Sequence, residues 1–212
     1  MNLARKDILM KDYFRANEIF GIEDAAASSL TGTKLLYESE HGKPGDSDYL
    51  REEVRRSKAG QYYMSVKCGV RACYFNNLSY DFAGREFSFP VAPEALSQWA
   101  EANLYGSDYA RACKEFGSNI KIKETVWEYR QGADETQPGF IYEYLRKTAA
   151  DTYALFSTDC SYPYFGCSIA AAAPGSRKVR DDLYLYYITA DTARRWAEAR
   201  GMDRYTAREV FG

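Results

Sequence analysis

The sequence predicts an α+β protein in which one unit of about 95 residues occurs twice in tandem. The first observation is a pattern, Asp-x-x-x-Ala-x-x-x-Phe-Gly, that occurs at 12–21, 108–117 and 203–212. The second is that strand-like segments follow one another in the same order in both halves of the chain. Features that recur in order at a nearly constant offset indicate an internal duplication.

The duplication predicts the boundaries of the units. We expect an N-terminal helix within 1–21, a first repeat unit at 22–117 and a second at 118–212. Each unit should contain an antiparallel sheet of three to four strands with helices on one face, because short connections favour a meander. The other sheet face needs a cover, so we expect the units to pack together in a pseudo-two-fold arrangement.

The ends of the units predict two helices each. Asp at the start of the pattern is a good N-cap, Ala and Phe stay near one helix face, and the final Gly can adopt a left-handed conformation. A longer helix should precede the last two copies. It begins at Pro93 in one unit and after Thr189 in the other, because Pro suits the first helical position and Thr caps helices well.

Earlier elements also correspond. Pro44-Gly45 followed by 49–51 parallels Pro138-Gly139 followed by 144–146, and we expect a helix after each of these loops. The segments that predict strands are 61–66, 71–78 and 86–90 in the first unit and 152–157, 165–171 and 183–187 in the second.

The last strand differs between the units. Glu86 and Ser88 of the first unit become Leu183 and Leu185 in the second, so the second copy is apolar on both faces. A strand of that kind is normally buried on both sides. We therefore expect it to be a central strand, with contact to a partner as the alternative.

Composition narrows the classes of function. The formal net charge is −2, which gives no general attraction to nucleic acid or to anionic membranes. No apolar run is long enough to cross a membrane. The five cysteines are most simply free thiols in a reducing cytoplasm, and their spacing departs from that of structural zinc sites. We expect no metal, no cofactor and no membrane partner.

Basic residues provide the first candidate site. The segment 188–212 reads as two helices joined at Gly201, which resembles a helix-turn-helix. The phosphate contacts of such a hairpin would be made by Arg194, Arg204 and Arg208. A structural helix hairpin is the simpler interpretation. A basic turn at 173–180 offers a second set of contacts to phosphate or nucleic acid: Arg177, Lys178 and Arg180.

Tyrosine provides the second candidate site. The chain has 19 Tyr against 11 Phe, and many of them fall in or beside the predicted strands. Most should be core residues, while some could form a recognition surface, since Tyr is enriched among residues that dominate binding energy. The residues expected on a partner surface are Tyr162, Tyr164, Tyr184 and Tyr186.

Catalysis has little support in the sequence. The only histidine, His41, lies in a segment typical of an exposed turn, and no phosphate-binding loop is present. We assign no catalytic residue. An enzyme of unrecognised type would place Cys68, Cys160 or His41 in one pocket.

These observations favour a non-enzymatic cytoplasmic binding protein that grips a macromolecular partner, most simply a protein. A mobile-element regulator, or an inhibitor of a host defence complex, is the working context. The alternatives are a DNA-binding transcriptional regulator that uses the 188–212 hairpin and an enzyme of unrecognised type. Because the second unit is more apolar in its last strand and more basic in its hairpin, the sequence favours the second unit as the functional one.

Overall fold

The computed structural model describes residues 18–24, 30–69, 86–117, 120–132, 141–149, 151–157, 177–180 and 183–212. The strands are β1 (Glu23–Asp24), β2 (Lys34–His41), β3 (Leu50–Arg56), β4 (Tyr62–Cys68), β5 (Glu86–Pro90), β6 (Thr125–Gln131), β7 (Ile141–Ala149), β8 (Thr152–Ser157), β9 (Arg177–Arg180) and β10 (Leu183–Thr189). The helices are α1 (Pro93–Asn103), α2 (Gly106–Phe116), α3 (Ala190–Ala199) and α4 (Arg204–Phe211). The chain is therefore an α+β protein, as the sequence predicts.

The strands form two antiparallel sheets. The first, sheet 1, has the order β1-β5-β4-β3-β2, and the second, sheet 2, has the order β6-β7-β8-β10-β9. Each contains a meander of four neighbouring strands, followed in the chain by a pair of helices. Within the described ranges β2 and β6 each form one edge of their sheet, and β1 and β9 form the opposite edges.

The two meanders share local irregularities of register. In β2 the pairing with β3 shifts between Leu35 and Tyr37, and in β6 the pairing with β7 shifts between Thr125 and Trp127. Such β-bulges place one extra residue in a strand and bend it. In both sheets, the aromatic residue after the bulge lies opposite a residue of the neighbouring strand, β3 or β7. That residue in turn lies opposite a residue of the next strand, β4 or β8.

The helices predicted after the two Pro-Gly loops are wrong, because β3 and β7 occupy these positions. The sequence of β3 is rich in Glu and Arg, which suggests a helix, yet it forms a strand with one face buried; Glu53 on the other face is also buried, at 7% exposed. Leu50, Glu52 and Val54 are all at most 5% exposed. Val54 lies opposite Tyr37 in sheet 1, and Leu145 lies opposite Trp127 in sheet 2. By register, the counterpart of Leu145 is therefore Val54 and not Leu50.

Five helix starts are predicted; Asp12 lies outside the described residues, and three of the other four are confirmed. Pro93 occupies the first turn of α1, and the side chain of Thr189 accepts a hydrogen bond from the Thr192 amide. Asp203 caps α4 through the amides of Tyr205 and Thr206. The fourth is wrong: α2 already begins at Gly106, so Asp108 lies within its first turn instead of capping it.

The last strand of the second half is central and buried. Between Leu185 and Ile188 every residue of β10 is at most 8% exposed, and the strand lies between β8 and β9. Helices α1 and α3 both contact it. The corresponding Ser88 of β5 is also buried, at 3% exposed, beside Ser65 on β4. The sequence difference between the two strands therefore does not expose a face in the first half.

A buried carboxylate joins the two halves of the chain. Glu94 lies in the first turn of α1, and its Oε1 accepts hydrogen bonds from Thr148 at 2.8 Å and Thr152 at 2.5 Å. All three side chains are buried. Loss of a donor to a buried carboxylate leaves a desolvated charge with less compensation, so these contacts should contribute to stability.

The segments predicted as strands at 71–78 and 165–171 lie outside the described residues, as does the greater part of the predicted N-terminal helix at 1–21. No helix in the described ranges is long and apolar enough to cross a membrane.

Replacing Thr152 with Val should destabilise the fold. The substitution keeps the shape of the side chain but removes the hydroxyl that donates to Glu94. We expect the free energy of unfolding to fall by about 1–3 kcal/mol, measured by urea denaturation. Thr31→Val, at an exposed position, is the matched control and should change stability by less than about 0.5 kcal/mol. Equal losses in the two variants would contradict the role of Glu94.

Replacing Asp203 with Asn should destabilise the fold in a pH-dependent manner. Hydrogen bonds from the side chain and the amide of Thr206 lower the pKa of the Asp203 carboxyl. A lowered pKa adds stability above the ordinary Asp value of about 3.9, and that stability is lost as the pH falls through the folded-state pKa. The wild-type protein should therefore melt at a higher temperature than Asp203→Asn at neutral pH, and the two should converge in acid. Asp48→Asn, in an exposed turn, is the matched control and should change the melting temperature at neutral pH very little.

Candidate partner-binding groove

An open groove lies between the edge strand β2 of sheet 1 and helix α2. We call it the β2–α2 groove. It encloses about 570 Å³, and its lining consists of Lys34, Leu35, Leu36, Tyr37, Arg111, Lys114 and Glu115. The lining thus combines aliphatic, aromatic and mainly basic side chains, which come from two elements that are distant in the sequence.

Strand β2 forms one wall of the groove. Lys34 and Leu35 are exposed at its start, and Leu35 retains 39% of its accessible surface. Tyr37, after the bulge, is 7% exposed and belongs to the core. The strand therefore presents exposed side chains to the groove while Tyr37 fixes it to the body of the protein.

Helix α2 forms the other wall and is held by Phe116. The ring of Phe116 lies edge-on to Tyr37, with centroids 5.7 Å apart, and edge-on to Tyr62, with centroids 5.4 Å apart. Edge-to-face pairs at these distances stabilise beyond the area that they bury. Ala112 is fully buried on the same helix and allows it to approach the sheet closely. The opposite face of α2 therefore faces solvent.

Glu115 lies between these two tyrosines. Its carboxylate accepts a hydrogen bond from the Tyr37 hydroxyl at 3.4 Å and from the Tyr62 hydroxyl at 3.3 Å. Arg56 is 3.6 Å from the same carboxylate. The negative charge of Glu115 is thus already engaged by groups of the protein itself.

Both tyrosines remain protonated at neutral pH. Burial raises the pKa of Tyr37 and of Tyr62 above the ordinary value of 10.0, and the nearby negative charge of Glu115 raises each further. Each hydroxyl can therefore donate its proton to Glu115 throughout the physiological range.

Four cations surround the groove. Arg56 lies over the Tyr62 ring at 5.3 Å from its centroid, and Arg111 lies over the Tyr37 ring at 5.6 Å. Arg111 also pairs with Asp108 at 2.9 Å, where both side chains are largely exposed. Within the described part of the chain, Lys34 and Lys114 have no ion-pair partner. Among the described residues, these two positive charges of the groove are therefore uncompensated.

The corresponding surface of the second half is different. At the helix positions of Arg111, Lys114 and Glu115, counted from the shared Asp of the repeated pattern, α4 carries Thr206, Glu209 and Val210. On the strand side, Trp127 packs edge-on against Trp196 with ring centroids 5.1 Å apart. The basic character is therefore specific to the first half.

A second, smaller pocket of about 210 Å³ lies between β5 and the start of α3, and Arg195 and Asp191 contribute to its lining. Arg195 donates through Nε to the backbone oxygen of Ile19 at 2.8 Å and through Nη1 to Asp191. Burial lowers the pKa of this guanidinium. Arg195 therefore connects the segment before β1 to α3, and we assign this pocket a structural role.

The arginines predicted to contact nucleic acid from the 188–212 hairpin are only partly available. Arg194 pairs with Asp191 and, at 3.3 Å, with Glu198, and its side chain is 25% exposed. Arg204 is 84% exposed and lies 3.9 Å from the Glu198 carboxylate. Arg208 is exposed in the last turn of α4.

The hairpin also carries nearly balanced charge, with five Arg and four acidic residues between 190 and 212. Arg200 forms a buried ion pair with Glu143 at 2.6 Å. The Asp203 carboxylate occupies the N-terminus of α4, where a helix would otherwise attract a phosphate. These contacts favour the structural interpretation of the hairpin over DNA binding.

The remaining predicted site residues divide as follows. The prediction of a turn at 173–180 is wrong in its last part, because Arg177, Lys178 and Arg180 lie in strand β9; their side chains are not described. Tyr186 is 3% exposed, so it lies in the core and does not offer a partner surface. Tyr184 is in β10, and its side chain is not described, while Tyr162 and Tyr164 lie outside the described residues.

The candidates for catalysis are not brought together in the described pockets. His41 and Cys68 both pair with Leu50 from opposite sides, which places them two strands apart, or about 10 Å. Cys160 lies outside the described residues. Neither of the two pockets described above is lined by His41 or Cys68.

His41 lies at the end of β2, and not in a turn as predicted. Its Nε2 is 3.2 Å from the Ser39 hydroxyl and 3.3 Å from the Asn103 side-chain oxygen. In a catalytic triad the two ring nitrogens would contact the nucleophile and the orienting residue separately. Here a single nitrogen contacts both, so the cluster lacks the arrangement that activates a serine.

The described residues contain no group of three or more His, Cys, Asp or Glu side chains that could hold a metal ion. Comparison with protein-family models, with curated proteins and with solved structures gives no match. The case for function therefore rests on the geometry of the chain itself.

The β2–α2 groove was not among the sites predicted from sequence. The available signal was the run Lys34 to Tyr37, in which a lysine and two leucines precede a tyrosine. The run becomes a site only when α2 packs beside it, and that contact depends on Phe116.

Replacing Glu115 with Gln should make Tyr37 and Tyr62 ionise at lower pH. The substitution removes a negative charge that raises the pKa of both phenols. We expect two ring resonances to titrate earlier in a pH series of NMR spectra on tyrosine-labelled protein, with Tyr37→Phe and Tyr62→Phe assigning the signals. Glu101→Gln, at an exposed position on α1, should leave both titrations unchanged. Unshifted resonances in Glu115→Gln would contradict the described position of this carboxylate.

Proposed function

We propose that the protein is a non-enzymatic binding protein that grips a protein partner through the β2–α2 groove. The observation that carries the proposal is the composition of that groove. It combines an exposed leucine, Tyr37 with Arg111 over its ring, and two lysines with no ion-pair partner in the described part of the chain. Tyr and Arg are enriched among residues that dominate binding energy at protein interfaces.

The polar groups of the groove suit recognition better than catalysis. Glu115 is engaged by two hydroxyls and by Arg56, and both phenols stay protonated. A general acid or base needs a pKa near the working pH and a free path to the substrate. The groove offers fixed donors and cations instead, which position a partner without reacting with it.

We further propose that the scaffold arose by duplication of one unit, with a first unit at 22–117, a second at 118–212 and a pseudo-two-fold relation between them. The equal strand order of the meanders and the bulges in β2 and β6 support this. The register suggests an alignment in which Val54 corresponds to Leu145. Under this proposal the first unit kept or acquired the binding groove, which reverses the preference for the second unit that the sequence suggested.

A cytoplasmic mobile-element protein that regulates transcription or inhibits a host defence complex remains the proposed context. In such a setting a small protein with a rigid scaffold and one binding groove would act by occupying the surface of a larger partner. The alternative is DNA binding through α4, which is supported by the exposure of Arg204 and Arg208.

A photo-crosslinking amino acid at position 35 should capture a protein in the native host. Leu35 is 39% exposed in the groove, so a crosslinker there would lie against a bound partner. We expect a protein adduct of defined mass on a denaturing gel, identified by mass spectrometry. Ile122, which is 36% exposed outside the groove lining, is the matched control position and should give no such adduct.

Three results would contradict the proposal. They are equal adducts at positions 35 and 122, no protein adduct at position 35, or an adduct at position 35 that nuclease removes. DNA binding that falls with salt and is lost in an Arg204→Ala, Arg208→Ala double variant would favour the transcriptional regulator instead.

A further inference from the structure

We propose that the β2–α2 groove recognises a short acidic segment of polypeptide, in which carboxylates flank an apolar side chain. This inference rests on the proposed function and specifies the chemistry of the partner. Its first support is the local charge of the groove. Lys34, Arg56, Arg111 and Lys114 surround it, while Asp108 and Glu115 are engaged by Arg111 and Arg56.

The cations are available to a ligand at modest cost. The side chains of Arg56 and Arg111 are 48% and 65% exposed, and both are held over tyrosine rings. A guanidinium that is already oriented loses less conformational freedom when a carboxylate binds, and it can bind that carboxylate with two hydrogen bonds. Lys34 and Lys114 extend the same positive region at the start of β2 and on α2.

The apolar part of the groove sets a second requirement. Leu35 is exposed, Leu36 is half-buried, and both line the groove together with its basic side chains. An exposed leucine next to a pocket gains from contact with another apolar side chain, because water leaves both surfaces. A ligand with carboxylates alone would leave this surface in contact with water.

The size of the groove limits the ligand to a short segment. The groove follows four residues of β2, which span about 10–13 Å at the rise of a strand. The bulge between Leu35 and Tyr37 interrupts the regular spacing of backbone groups at this place. Recognition should therefore depend mainly on side chains, and not on the addition of a long new strand to sheet 1.

Charge outside the groove disfavours a long polyanion. Farther along β2, the exposed side chains are Glu38, Glu40 and His41, and the whole chain has a net charge of −2. Nucleic acid would place phosphates along this acidic stretch, whereas a short peptide ends before it. The geometry thus favours a peptide of limited length over DNA or RNA.

The experiment measures binding of the full chain to an array of fluorescent twelve-residue peptides by fluorescence polarisation. The peptides carry a central leucine and between zero and six Asp or Glu residues, with Asn or Gln at the replaced positions. We expect affinity to rise with the number of carboxylates and to fall as salt is added. Replacing the leucine of the best peptide with Ser should weaken binding.

The groove variant is Lys34→Glu, Lys114→Glu, in which both substitutions are at exposed positions. It should weaken binding of the most acidic peptide by on the order of tenfold or more. The matched control is Lys121→Glu, Lys123→Glu, which changes the net charge equally outside the groove lining and should retain most of the binding. Lys34→Arg, Lys114→Arg should also bind, and equal melting temperatures exclude loss of the fold as the cause.

Several outcomes would overturn the inference. These are no binding to any peptide, affinity independent of carboxylate number, equal loss in the two charge-reversal variants, or tighter binding of a single- or double-stranded oligonucleotide of similar charge. A dimer that forms at assay concentration and dissociates in Lys34→Glu, Lys114→Glu would make a second copy of the chain the occupant. If crosslinking at position 35 still captures a protein, the proposed function stands while this inference fails; if it captures none, the proposed function itself fails.

Discussion

The contact of Phe116 with Tyr37 and Tyr62 determines how helix α2 lies against sheet 1. These three rings join the last turn of α2 to the edge strand β2 and to the inner strand β4. Because the same two tyrosines donate to Glu115, one set of contacts fixes both the helix and the charge beneath the groove. The exposed cations on α2 can only face Lys34 and Leu35 when this aromatic cluster is packed. The candidate site thus depends on the core directly below it.

Local signals in the sequence predicted local structure well. Pro93, Thr189 and Asp203 mark helix starts because each satisfies a need of the first helical turn that does not depend on distant residues. The failed helix prediction at β3 has a different origin. Glu52 is completely buried there, whereas a glutamate is normally expected at the surface. The sequence therefore did not show the apolar positions by which the buried face of a strand is recognised. The groove could not be predicted, because it needs strand order and helix packing together.

The halves resemble each other in framework and differ in surface chemistry. Trp99 and Trp196 are both buried on the first helix of a pair, and Phe116 and Phe211 both lie in the last turn of the second helix. In the second half Phe211 packs edge-on against Tyr153, with ring centroids 5.2 Å apart, and Arg200 is committed to the buried Glu143. In the second half Phe211, Tyr153 and Arg200 thus make internal contacts, while Arg204 and Tyr205 are exposed. In the first half the aromatic cluster is likewise internal, and the cations above it, Arg56 and Arg111, are exposed.

The bulge in β2 has a consequence for solubility. A flat outer strand with exposed leucine would be able to pair with the same strand of another molecule, and repeated pairing of this kind leads to fibrils. The bulge disturbs the spacing that such stacking requires, and Lys34 adds repulsion between identical chains. The bulge and Lys34 therefore both disfavour edge-to-edge pairing of β2 between molecules, although the strand and Leu35 stay accessible.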